Sequence, residues 1–170
     1  MSHTYCLTVN HEKCRGCKAC EMACSLHNVK ECNPTRSRIR GVRTLHDGVL
    51  YSAPVVCQQC EDPVCQAVCP FGAIYRANDT GAKLVDESKC VGCRRCMYAC
   101  PFGGTMVDEQ TGVSSKCTLC DGEPTCEKLC AFGALEYVRS DKMDVNSKRQ
   151  AVQSILAAKI KAPHVHGDEG

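Results

Sequence analysis

A chain of 170 residues with 21 Lys plus Arg against 19 Asp plus Glu carries a formal net charge of +2. That balance argues against a nucleic-acid or polyanion binder, and the length allows one domain or two small ones. Eighteen cysteines beside three Phe, five Tyr and no Trp point instead to a disulfide scaffold or a metal protein.

No charged-then-apolar leader, twin-arginine pair or long apolar segment is legible, so the chain reads as cytoplasmic, where thiols stay reduced and bind metal. Taken in order, Tyr5–Val9 reads as a strand in which Cys6 is a small core residue. It runs into a first quartet, Cys14, Cys17, Cys20 and Cys24, spaced C-x2-C-x2-C-x3-C. Cys32 is left over, a packed or solvent-side thiol. Arg36, Arg38, Arg40 and Arg43 sit in a strand-like stretch, three on one face by period two. They read as a solvated edge that discourages strand addition, or as a docking face or counter-charge to a cluster.

The second quartet is Cys57, Cys60, Cys65 and Cys69, then Pro70. The third is Cys90, Cys93, Cys96 and Cys100, then Pro101. The fourth is Cys117, Cys120, Cys126 and Cys130. The stretch between Cys69 and Cys90 suits a hairpin turning at Asn78-Asp79-Thr80-Gly81. After the last three quartets a Phe-Gly pair permits a tight turn, and apolar residues then start a strand. Each repeat is expected as strand, cysteine loop, one or two helical turns, strand.

The x2, x2, x3 spacing ending in Pro is the bacterial ferredoxin pattern for [4Fe–4S] clusters. Three cysteines at three-residue intervals wrap a loop around one cubane. The fourth, one helical turn on, points away and serves the other cluster of a pair. Zinc, the competing reading, uses two separated C-x2-C pairs rather than a repeated quartet. Sixteen thiolates make four clusters. The quartets pair either sequentially or nested, with second and third inside first and fourth. The Cys-Pro ending shared by the second and third, against Ser25 and Ala131 in the others, favours nesting. Such units cannot bury a core alone; inorganic cores replace the aromatic interior, and little folding is expected without iron.

From about Tyr5 to Tyr137, the four-quartet order with its widened second and fourth gaps resembles the iron–sulfur electron-transfer subunits of the dimethyl sulfoxide reductase and formate dehydrogenase type. The resemblance implies nested pairing and four ligand sets. Cys14, Cys17, Cys20 and Cys130 hold one cluster, and Cys117, Cys120, Cys126 and Cys24 its mate. Cys57, Cys60, Cys65 and Cys100 hold a third, and Cys90, Cys93, Cys96 and Cys69 the fourth. The implied fold is α+β, two ferredoxin-like modules in nested arrangement plus a C-terminal helix. The outer module spans 1–56 and 101–140, the inner 57–100, and 141–170 holds a linker, helix and disordered tail. The run from Cys14 to His27, with Asn33 to Arg40, is similar to the small polyferredoxins that accompany tungsten-containing aldehyde oxidoreductases. Partners of carbon monoxide dehydrogenase, hydrogenase and molybdopterin enzymes are the runners-up.

With all sixteen cysteines taken as ligands and no Gly-rich phosphate loop, no catalytic residue is expected. The role is one-electron relay between a catalytic subunit and another carrier, a flavin subunit or a ferredoxin. An iron–sulfur redox sensor is the alternative class. Lys13, Arg15 and Lys18 in the first loop and Lys89, Arg94 and Arg95 in the third, against Glu61, Asp62, Asp121, Glu123 and Glu127 in the others, predict higher potentials for the first and third clusters, or ordinary surface charge. His11, His27 and His46 are scattered and read as surface or hydrogen-bonded groups rather than ligands. Beyond Tyr137, Ser140–Ser147 reads as a linker, and Val152, Ile155, Leu156 and Ile160 share one face of a helix stopped by Pro163. That helix would fold back on the body or grip another subunit, extending the row of clusters into a filament.

Overall fold

Among the described residues every strand has one partner, and no sheet exceeds two strands. β1 (Tyr5–Val9) pairs antiparallel with β8 (Leu135–Arg139), joining the first repeat to the last. β2 (Ile39–His46) and β3 (Val49–Val56) form a long hairpin. β4 (Ile74–Arg76) pairs with β5 (Lys83–Val85), and β6 (Thr105–Val107) with β7 (Ser114–Lys116). The helices α1 (Ala19–Val29), α2 (Val64–Ala67), α3 (Arg95–Ala99) and α4 (Thr125–Lys128) each begin within a cysteine loop. The result is a small α+β fold. The computed structural model describes residues 4–140; the expected linker, helix and tail, with the filament built on them, lie outside the described residues.

Local chemistry explains most of these elements. The β4–β5 turn lies where Asn78-Asp79-Thr80-Gly81 put it: Ala77 donates to the Ala82 carbonyl, Gly81 to that of Ala77, and Ala82 N–H to Thr80 Oγ1. The β2–β3 turn is Asp47-Gly48, both at positive φ (49° and 74°), the conformation that a two-residue hairpin requires. α1 runs 11 residues, not the one or two turns expected. The first repeat has Ser25-Leu26 after Cys24, with neither the proline of the second and third repeats nor the Phe-Gly turn of the last three, so nothing stops the helix there.

The arginine stretch also departs from expectation. Arg36 lies in a 3₁₀ turn, Pro34–Arg36, capped by the Asn33 side chain, rather than on the strand. Its Nε donates to Asp108 at 2.8 Å. Arg40 donates to the carbonyls of Pro34 and Thr35, and Arg43 to that of Gly16 in the first cysteine loop. These side chains stitch loops together, as five-donor guanidinium groups do when orphan carbonyls lie nearby.

The core is small and sulfur-rich. Leu7, Ile39, Val56, Leu119 and Leu135 pack with Cys24, Cys57, Cys117 and Cys126, while Ile74 packs with Cys65 and Cys96. Phe71, Phe102 and Phe132 are about half exposed and add little to it. Tyr5 and Tyr137 stack at 5.0 Å across β1 and β8.

Candidate metal centre

The four loops curl by placing residues in the left-handed region. Gly16 and Lys18 in the first loop (φ 64° and 63°) are matched by Gly92 and Arg94 in the third (67° and 63°). The widened loops use other residues: Gln59 in the second, and Leu119, Cys120 and Asp121 in the fourth. Runs of this kind turn backbone N–H groups inward and make concavities that favour negative charge.

The cysteines gather as follows. Cys14, Cys17, Cys20 and Cys130 line one cavity. Cys24, Cys117, Cys120 and Cys126 line a second. Cys69, Cys90, Cys93 and Cys96 line a third. Cys60 lies beside Cys57, Cys65 and Cys100. In each group three cysteines come from one quartet and the fourth from another.

Hydrogen bonds to sulfur follow the repeat. The last cysteine of every quartet accepts a backbone N–H. Ala73 donates to Cys69 at 3.4 Å, Gly104 to Cys100 at 3.3 Å and Ala134 to Cys130 at 3.2 Å. In these three the Phe-Gly turn, with glycine at φ 58° to 62°, brings the donor back four residues. In the first quartet α1 continues instead, and the donor to Cys24 is Arg38 N–H at 3.3 Å, joined by Asn28 Nδ2 at 3.4 Å. Leu119 and Ser114 N–H groups reach Cys117 and Cys90.

None of the eighteen cysteines, all among the described residues, forms a disulfide. Burial pushes Cys20 up to about 11 and Cys126 up to about 12, and raises Cys117 and Cys60 as well, with neighbouring cysteines adding to the effect. Such groups become thiolates only beside a compensating cation. Among the described residues no three Cys, His, Asp or Glu side chains converge on a single ion. Grouped thiols, inward N–H donors and hollow cavities fit a polyatomic iron–sulfur cluster, which supplies one-electron redox chemistry when bound.

Outside the groups, Cys6 is buried and Cys32 exposed, its thiol 3.9 Å from Met22 sulfur. His27 Nδ1 lies 3.2 Å from Thr125 Oγ1. The loop charges are partly paired: Lys18 with Glu21, Lys89 with Asp86, and Lys128 with Glu123. Glu21, 3% exposed, also accepts Gly41 N–H at 2.8 Å, and Glu127 accepts Tyr137 N–H at 3.1 Å. Two structural residues carry no motif in the sequence: Gln59 and Lys116, both buried.

A [4Fe–4S] dicluster domain matches residues 49–140 and a [4Fe–4S] binding domain residues 11–28. The thiosulfate reductase electron transfer subunit PhsB of Salmonella typhi is 33% identical over 85% of this chain and 81% of its own. The B subunit of the anaerobic dimethyl sulfoxide reductase of Escherichia coli is 34% identical over 98% of this chain and 85% of its own. One polypeptide of the active site complex BamBC of benzoyl coenzyme A reductase aligns over 95% of this chain and 94% of its own. Its identity is 24% and the TM-score 0.48. No described helix is long and apolar enough to cross a membrane. With sixteen grouped thiols, the chain carries four [4Fe–4S] clusters, and it belongs to the [4Fe–4S] dicluster family, alongside the iron–sulfur subunits of thiosulfate and dimethyl sulfoxide reductases.

Proposed function

We propose that this chain relays single electrons between a catalytic oxidoreductase subunit and a second carrier, and has no catalytic site of its own. The observation that carries this is the grouping of cysteines: three from one quartet with one from another, in the four sets the family resemblance implies. The sets adjoin in a row. Cys126 neighbours Cys20 and Cys24, Cys117 neighbours Cys57, and Cys65 packs with Cys96. The order is first, fourth, second, third. The second cysteine of the two end quartets, Cys17 and Cys93, is exposed, whereas Cys60 is half-buried and Cys120 buried. Exposed ends and an enclosed middle suit a relay with two contacts.

The pairing of β1 with β8 and of β4 with β5 supports an outer module of 1–56 and 101–140 around an inner module of 57–100. The test is iron content. Serine at Cys24 should lower iron by about four per chain, as should serine at Cys126, and combining the two should cost no more than either alone. Serine at Cys6 should leave iron unchanged. Additive loss in the double variant would refute nesting.

For the partner, the first-quartet run supports a tungsten aldehyde oxidoreductase in the cytoplasm, with a flavin subunit or ferredoxin as the other carrier. The relatives named above favour a second reading, a molybdopterin reductase acting on sulfur compounds. Metal analysis of the complex captured anaerobically from its host separates them: tungsten with about sixteen iron per chain supports the first, molybdenum the second. Zinc without iron would overturn both.

A further inference from the structure

Lys116 is 3% exposed. Its Nζ lies 3.5 Å from Cys57 Sγ, 3.4 Å from Cys65 Sγ and 3.1 Å from Thr105 Oγ1. An ammonium has three donors and no acceptor, and here three acceptors meet it. Among the described residues no carboxylate pairs with it, and every other hydrogen bond to a grouped cysteine sulfur comes from a neutral donor. Successive side chains of an extended segment face opposite sides. Lys116 therefore faces the Cys57 set although it is covalently next to Cys117, which belongs to the neighbouring set.

We propose that Lys116 is a positioning charge that selectively raises the reduction potential of the cluster held by Cys57, Cys60, Cys65 and Cys100, a reading that rests on the ligand set proposed above. Reduction adds one negative charge to a cluster, and a buried cation donating to its thiolates stabilises that form. By loop charge alone this cluster should be low in potential, because Glu61 and Asp62 flank it. Both acids are exposed and screened by water and salt, whereas Lys116 is not. The buried cation outweighs them.

The test is a potentiometric titration, followed by electron paramagnetic resonance, of the full chain loaded anaerobically with iron and sulfide. Lys116→Met should lower one of the four midpoint potentials by at least tenfold in the one-electron equilibrium, about 59 mV, with the other three moving far less. Lys116→Arg, which keeps the charge, should restore most of the loss. Four unchanged potentials with full iron, or four that shift together, would overturn the proposal. Should Lys116→Met bind iron incompletely, Lys116→Gln carries the test, since it keeps a donor without the charge. The same single downward shift supports the proposal and an unmoved potential overturns it. A wild-type chain that fails to bind about sixteen iron would overturn the ligand reading itself, separately from the role of Lys116.

Discussion

Gln59 offers the sharpest test of how the loops are held together. It is 2% exposed and sits between Cys57 and Cys60 at φ 50°. Its Nε2 donates to the Cys117 carbonyl at 2.8 Å, and its Oε1 accepts Lys83 N–H at 2.8 Å. One amide thus ties the second loop to β5 and to the start of the fourth loop. Gln59→Leu keeps the volume but leaves a buried carbonyl and a buried N–H unpaired. Each such group costs about 1–3 kcal/mol, so the variant should lose about 2–6 kcal/mol, a large share of the roughly 5–15 kcal/mol that holds a domain folded. With a guanidinium slope of about 4 kcal/mol per molar, the apparent unfolding midpoint of the iron-loaded protein should fall by about 0.5–1.5 M. The assay is anaerobic, following cluster absorbance and circular dichroism together. Gln58→Leu is the control, because Gln58 is exposed and among the described residues donates only to the Val56 carbonyl; its effect should stay within about 0.5 kcal/mol. If the two variants unfold at the same midpoint, the bridging role of Gln59 is refuted.

Gly104→Ala would put a methyl 2.6 Å from Cys57 Cα and 3.0 Å from its backbone nitrogen, so iron per chain should fall below the wild-type value. Gly72→Ala meets open space and should cost only the roughly 1–2 kcal/mol of left-handed strain, with iron retained. Burial raises the Asp108 carboxyl, but hydrogen bonds from Arg36, Gln110 and Thr111 outweigh it and hold the group below its usual range. A depressed folded value gives stability that is complete above about pH 4, the ordinary aspartate value, and is lost as pH falls through the folded one. The melting-temperature gap between wild type and Asp108→Asn should therefore narrow on acidification; a gap constant with pH would refute the pairing. Stripping iron with a chelator under argon should abolish most secondary structure by circular dichroism, since buried cysteines form much of the core and the described sheets are two-stranded.

The parts legible in the sequence are those governed by short-range spacing. The quartets, the Asn78–Gly81 turn and the strands after Phe-Gly follow from residues within a few positions of one another. The β2–β3 hairpin is absent from the sequence reading although Asp47-Gly48 is a strong turn signal, because the run of arginines obscures the alternation across Ile39–Val56. Period two puts Arg36 on a strand because it cannot see Asp108, 72 residues away. Gln59 and Lys116 are invisible for the same reason: their partners at Cys117, Lys83, Cys57 and Cys65 are brought near only by folding. The extra length of α1 does have a local signal, the absence after Cys24 of both proline and the Phe-Gly pair.

Pairing of β1 with β8 also has a consequence in time. Thr8 and Glu136 are 128 positions apart, and at about 5–20 residues per second synthesis of the intervening chain takes roughly 6–25 s. Throughout that interval β1 has no strand to pair with, and Cys130, which shares a cavity with Cys14, Cys17 and Cys20, has not been made. The β4–β5 hairpin, whose partners lie within 11 residues of each other (Ile74 and Val85), closes as soon as it clears the ribosome. The first repeat to be translated is thus among the last to be completed, and its thiols must stay reduced while they wait.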